Sequence, residues 1–143
     1  RSSDLFESNF RSILNNAVIR KIEINLPKEG RTVATFDKFN RSEFDVAALN
    51  LACSITVTNS KIVEARFSVG ARPMTGKKFP EVEEALTGEK LEPELGKEIG
   101  KLARDEITVK GDNKISGKYR KQLVEKMTED AVREIYNEVA NEN

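Results

Sequence analysis

The sequence contains no histidine and a single cysteine, and both shortages restrict the chemistry it can perform. Without an imidazole there is no histidine base to activate a serine or cysteine nucleophile, and no histidine-ligated metal site. The one thiol, Cys53, can form neither an intramolecular disulfide nor a thiolate zinc cluster. Cys53 stands in an apolar run with no base nearby, so we expect a small buried hydrophobe rather than a reactive thiol. These absences argue against a self-contained hydrolase or transferase.

Long apolar runs and an excess of one charge are also missing. No stretch approaches the ~18 apolar residues that span a bilayer, so we expect no membrane partner. Lys plus Arg number 24 and Asp plus Glu also number 24, so no overall basic field attracts nucleic acid. A basic cluster in the second half is interleaved with acidic residues, which predicts a solvated helix surface instead of a nucleic-acid patch. The cluster comprises Lys97, Lys101, Arg104, Lys110, Lys114, Lys118, Arg120 and Lys121.

The apolar pattern changes period about halfway along the 143 residues, which are enough for one domain. Strands are predicted from Ile22 to Leu26, over Thr32–Lys38, over Val46–Thr58 and over Lys61–Val69, the last two forming a hairpin about Asn59-Ser60. Helices are predicted over Pro80–Leu86, from Pro93 to Ile107 and from Lys118 to about Val139. Strands followed by helices indicate an α+β fold, a small antiparallel sheet of three to four strands packed on one face by about three helices.

Two loops carry residues with possible binding chemistry. The segment from Gly70 to Lys78 has five residues between its two glycines instead of the four of a phosphate-binding loop, and Lys78 replaces the Ser or Thr of that loop, so the segment predicts an ordinary strand-to-helix connection. The loop after the Thr32–Lys38 strand groups Lys38, Arg41, Glu43 and Asp45 between aromatic residues. Such charges at a strand end suit the edge of an anion or cofactor site, although a simply solvated loop remains the alternative.

Six short segments then follow one another in a distinctive order. They are Ile22-Glu23-Ile24 with Pro27, Phe36-Asp37-Lys38-Phe39-Asn40-Arg41, Phe44-Asp45-Val46-Ala47, the stretch Ile62–Ala71, the stretch Glu83–Leu91, and Ser116-Gly117-Lys118-Tyr119-Arg120. In this order, over roughly residues 17–136, they resemble the C-terminal domain of the flavoprotein subunit of molybdenum hydroxylases, the family of xanthine dehydrogenase and carbon monoxide dehydrogenase.

The resemblance implies one part of a larger oxidoreductase. FAD would be shared with a preceding FAD-binding domain of the same subunit, and molybdopterin and [2Fe–2S] clusters would lie in partner subunits that pass electrons to FAD. Residues 1–26 would be a connecting segment with the last strand leading from that missing domain, and residues 27–143 the C-terminal domain. We therefore expect a cytoplasmic, excised or truncated piece that is not catalytic alone.

The resemblance also implies the site residues. Lys38 matches the family's flavin-contacting lysine and Ile19 its contacting hydrophobic residue, with Arg41 and Asp45 as further candidates. An ammonium beside a flavin favours negative charge on its phosphates or its reduced ring, and an aliphatic side chain can pack on the ring. The loop after Lys38 is one residue shorter than the family pattern, which affects its exact contacts. The alternative is a cofactor-free α+β interaction module that binds a partner through its hairpin and long helix.

Overall fold

The computed structural model describes residues 18–24, 29–40, 42, 46–71, 76–113 and 115–141. This part of the chain forms four strands and three helices, so the predicted α+β class is confirmed. In chain order they are β1 (Arg31–Phe39), β2 (Leu49–Thr58), β3 (Lys61–Gly70), β4 (Lys77–Lys78), α1 (Pro80–Leu86), α2 (Leu95–Glu106) and α3 (Gly117–Asn141).

The four strands form one antiparallel sheet in the order β1-β2-β3-β4. The predicted hairpin between β2 and β3 is confirmed, and its two turn residues, Asn59 and Ser60, have φ values of 51° and 63°. Positive φ at both central residues gives the turn the twist that matches the flanking strands. The register pairs Lys38 with Asn50 across β1 and β2, and Asn50 with Gly70 across β2 and β3. Directly paired residues point to the same side of the sheet, so these three share one face.

All three helices belong to the layer on the other face. α3 crosses β1, where Thr35 Oγ1 donates a hydrogen bond to Glu134 Oε2 at 2.9 Å. α1 packs on β3, and α2 packs on α3. The buried strand residues that meet the helices recur at every second position along β2, and along β3 except for one extra residue, Val63, at a bulge. They are Leu49, Leu51, Cys53, Ile55 and Val57 on β2, and Ile62, Ala65, Phe67 and Val69 on β3.

Two glycines allow α2 and α3 to approach closely. A Cβ built on Gly100 would lie 2.6 Å from the backbone oxygen of Glu125, and one on Gly96 would lie 2.9 Å from that of Glu129. Side chains at these positions would therefore collide with the α3 backbone. The Gly-x-x-x-Gly spacing places both hydrogens on the one side of α2 that faces α3.

Arg120 departs from the prediction that the basic cluster is a solvated surface, because it is only 1% exposed. Its Nη2 donates to Asp112 Oδ2 at 2.5 Å and its Nη1 donates to the backbone oxygen of Lys110 at 2.6 Å. The carboxylate and the carbonyl compensate the buried charge. This contact fastens the segment before α3 to the first turn of that helix, where Ser116 Oγ accepts a hydrogen bond from Tyr119 N at 3.1 Å.

The strand predicted to begin at Ile22 is not found in the described residues 18–24, which belong to no helix or strand. Alternation alone was not sufficient there, since Ile22 and Ile24 are exposed and pair with no strand among the residues that the structure describes. The remainder of that prediction, residues 25 and 26, lies outside the described residues. β2 begins at Leu49 rather than Val46, which is exposed. Within the described residues, no helix is both long and apolar enough to cross a membrane.

Candidate functional site

The sheet face opposite the helices is largely uncovered in the described structure, with Thr56 as a buried exception at 4% exposed, and we call it the open face. Along β1 it presents residues that alternate with those turned to the helices, and the ladder carries the same face across the sheet. Its members are Thr32, Ala34, Phe36 and Lys38 on β1, Asn50, Ala52, Ser54 and Thr56 on β2, Glu64, Arg66, Ser68 and Gly70 on β3, and Lys78 on β4.

Small side chains make the middle of the open face shallow. Ala34, Ala52, Ser54 and Ser68 surround Phe36, whose side chain is 64% exposed. They line a groove of about 510 Å³ that is closed on one side by Lys78 and other β3–β4 residues. A flat, partly apolar surface with a large exposed aromatic ring is suited to contact with another surface or a planar group.

Lys38 lies at one end of this face. Its side chain is exposed, and its backbone N–H donates to Asp37 Oδ1 at 2.7 Å. No carboxylate among the described residues forms an ion pair with its ammonium, whereas Arg66 on the same face is paired with Glu64 at 2.5 Å. The free ammonium is therefore available to an anionic or electron-rich group outside this part of the chain.

Asn50 and Gly70 continue the same row across the sheet. They were not among the residues singled out from the sequence, although Asn50 is the one amide within the otherwise apolar and hydroxylic β2. A Cβ on Gly70 would lie 2.6 Å from Asn50 Oδ1, so the absence of a side chain at Gly70 makes room for the Asn50 amide. The row Lys38–Asn50–Gly70 thus combines an ammonium, an amide and a position without a side chain.

The other predicted site residues are not brought into this row by the described structure. Ile19 lies in the segment 18–24, which belongs to no helix or strand, and is 56% exposed, as are its neighbours Val18 and Ile22 to a greater degree. Arg41 and Asp45 lie outside the described residues, so their predicted roles stay predictions. The structure does support an accessible position for both Lys38 and Ile19.

The reactive chemistry of this face is limited to binding. Cys53 is buried on the helix side of β2, and this burial raises the pKa of its thiol to about 12. It is therefore a buried hydrophobe, as predicted. Over the described ranges, no group of three or more His, Cys, Asp or Glu side chains is placed to hold a metal ion. An ammonium, an amide and a flat apolar surface can bind and orient a group, but they supply no nucleophile–base pair.

The sequence matches a known protein family. The sequence pattern of the CO dehydrogenase flavoprotein C-terminal domain matches residues 34–135. The glyceraldehyde dehydrogenase medium chain of Sulfolobus acidocaldarius is 25% identical over 136 residues, which are 94% of this chain and 48% of that protein. The chain thus spans about half the length of this curated relative.

Solved structures share the fold. Quinoline 2-oxidoreductase from Pseudomonas putida 86 superposes with a TM-score of 0.67 at 19% identity, over 73% of this chain and 36% of that one. A carbon monoxide dehydrogenase from Hydrogenophaga pseudoflava, in a form that lacks the Mo-pyranopterin moiety of its cofactor, superposes with a TM-score of 0.65 at 18% identity. That match covers 71% of this chain and 35% of the other.

Proposed function

Because this chain belongs to the CO dehydrogenase flavoprotein C-terminal domain family, we propose that it completes the FAD site of a molybdenum hydroxylase flavoprotein subunit through Lys38 on its open face. In this proposal the remainder of the subunit, which relatives carry in addition to the matched region, holds most of the FAD. Residues 1–26 connect the two parts. The iron–sulfur and molybdenum subunits are the further partners, in the cytoplasm.

The single observation that carries this proposal is the position of Lys38. Its ammonium stands at the end of an uncovered sheet face and has no ion-pair partner within the described residues. A lysine in this state pairs readily with phosphate or with an electron-rich ring edge. The residues present fit the group, because the neighbouring Phe36, Ala52 and Asn50 leave a shallow surface that a planar ring system or a second domain can approach.

When bound, FAD would supply the redox chemistry, accepting electrons that originate at the partner subunits' cofactors. The role of this chain is to bind and orient. Lys38 would hold a positive charge at the acceptor atoms, and Ile19 would provide an aliphatic surface that excludes water. Arg41 and Asp45, in the loop after β1, would adjust the charge around Lys38. No bond is made or broken by residues of this domain.

The test compares two lysines of the same face in the complete subunit. Lys38→Gln removes the proposed contact, and Lys78→Gln removes a lysine on β4, about 16 Å away at three strand spacings and two residues along the strands. A charge-assisted hydrogen bond of ~1.5–3 kcal/mol corresponds to a loss of FAD affinity of about ten- to a hundredfold. We expect this loss in Lys38→Gln, partial recovery in Lys38→Arg and none in Lys78→Gln, measured by flavin absorbance after dialysis.

Two results would contradict the proposal. If the Lys38→Gln variant and the unaltered subunit bind FAD with equal affinity, Lys38 does not contact the cofactor. A complete subunit that contains no flavin at all would favour the cofactor-free interaction module.

A further inference from the structure

The geometry points to Asn50 as a second polar contact to FAD, one that is held in position by the absence of a side chain at Gly70. This inference rests on the proposed function, because it concerns the same end of the open face. In this inference Asn50 orients FAD through hydrogen bonds, whereas the neighbouring Lys38 attracts it by charge.

The register brings Asn50 beside Lys38. The two residues are direct partners in the antiparallel β1–β2 ladder and point to the same face. Directly opposed Cβ atoms in such ladders lie about 4.5–5.5 Å apart. A ligand that contacts Lys38 and extends across β2 therefore passes over the position of the Asn50 amide, which leans toward Gly70.

The Asn50 side chain also has unused hydrogen-bonding capacity. A carboxamide carries two donors and an acceptor. In the part of the chain that the structure describes, none of these forms a hydrogen bond, although the residue is only half exposed on a central strand. Asn50 is also the largest polar side chain that β2 presents on this face, since the other positions hold Ala52, Ser54 and Thr56. An amide there can donate to a flavin ring oxygen or nitrogen, or to a pyrophosphate oxygen, and unlike Lys38 it can also accept.

Gly70 explains how Asn50 keeps its place. The three nearest atoms to a Cβ built on Gly70 all belong to the Asn50 amide, Oδ1 at 2.6 Å, Cγ at 3.6 Å and Nδ2 at 3.8 Å. An alanine at position 70 would collide with the end of the flexible Asn50 side chain and with no backbone atom. The sheet can therefore tolerate the alanine, but the Asn50 amide would have to move. Glycine weakens a strand, and its presence here is accounted for by the close approach of this amide.

The experiment uses Asn50→Ala, Gly70→Ala and the double variant in the complete FAD-containing subunit, with Asn137→Ala as the matched control. Asn137 is an exposed asparagine on α3, which packs on the face of the sheet opposite to Asn50. We expect Asn50→Ala to raise the dissociation constant of FAD about three- to tenfold, the range for one net hydrogen bond. Gly70→Ala should have an effect in the same direction, and the double variant should lose no more than Asn50→Ala alone. Asn50→Asp, with the same shape, should weaken FAD binding further, because a carboxylate cannot donate and repels phosphate.

A second readout distinguishes the two acceptors that FAD offers. A contact to the ring would shift the flavin reduction potential in Asn50→Ala together with the affinity, and a contact to the pyrophosphate would change the affinity alone. Either result supports the inference.

The inference is overturned if Asn50→Ala and Asn50→Asp change neither FAD affinity nor potential while Lys38→Gln weakens binding, since the proposed function would then stand without Asn50. It is also overturned if Gly70→Ala weakens binding equally with and without Asn50, because Gly70 would then act by itself. Loss of the Lys38 effect would instead count against the proposed function.

Discussion

Removing Asp112 should destabilise the domain strongly, because Arg120 would be left as a buried cation. The Arg120 side chain is 2% exposed, its Nη2 lies 2.5 Å from Asp112 Oδ2, and its remaining acceptor is the Lys110 carbonyl. Removing one partner of a buried ion pair costs ~3–5 kcal/mol. Asp112 is itself 36% exposed, so water would compensate in part, and we expect a value near ~3 kcal/mol for Asp112→Ala. At this chain length the loss corresponds to a fall in melting temperature of roughly 6–12 °C.

The assay is urea and thermal unfolding followed by circular dichroism. Asp105→Ala is the matched control, because Asp105 also binds an arginine, Arg104, but is 66% exposed, and its loss should be much smaller. In an Arg120→Met background, Asp112→Ala should cost clearly less, because the ion pair is already absent, although the hydrogen bond from Ile115 N is still lost at about 1 kcal/mol. If Asp112→Ala destabilises the chain no more than Asp105→Ala does, or equally with and without Arg120, the buried ion pair does not stabilise the fold as expected.

Three further outcomes follow from the packing. Gly100→Ala should gain ~1 kcal/mol of helix propensity but lose ~1–3 kcal/mol to the collision with the Glu125 carbonyl. We therefore expect a lower free energy of unfolding in urea, and a higher one would contradict the close α2–α3 contact. Cys53, with its pKa raised to about 12 by burial, should react with a maleimide at pH 8 only on unfolding, and rapid labelling of the folded chain would contradict this burial. Burial raises the pKa of Glu106, a group whose ionised form is thus disfavoured in the folded state. Relative to Glu106→Gln, the native chain should therefore lose stability as pH rises through and above the ordinary glutamate pKa of 4.5, and a gain would contradict this.

Local pattern was sufficient for most of the fold. The alternation in β1 and the two-residue turn at Asn59 fix strands and a hairpin by themselves, and proline at the start of α1 marks that helix. The two-residue β4 carries no periodicity, so nothing in Lys77 and Lys78 predicted it. The strand predicted from Ile22 was wrong for a different reason. The residues alternate as in a strand, but a strand is stable only when it pairs with another strand. Arg120 looked like a surface residue because its counter-charge lies eight residues away in a loop.

The site was predictable in part. Lys38 was identified through a family resemblance, and its outward position follows from the period of β1. Which face of the sheet remains open depends on where the helices pack, and this is a tertiary property. Asn50 and Gly70 could not be connected to Lys38 without the register of three strands, since 12 residues separate Lys38 from Asn50 and 20 separate Asn50 from Gly70.

A structure of the complete, FAD-loaded subunit would give the distance from Lys38 Nζ to the nearest atom of the cofactor. We expect a separation within about 4 Å, as in an ion pair or a charge-assisted hydrogen bond. An FAD molecule bound elsewhere, with Lys38 facing bulk solvent, would contradict it.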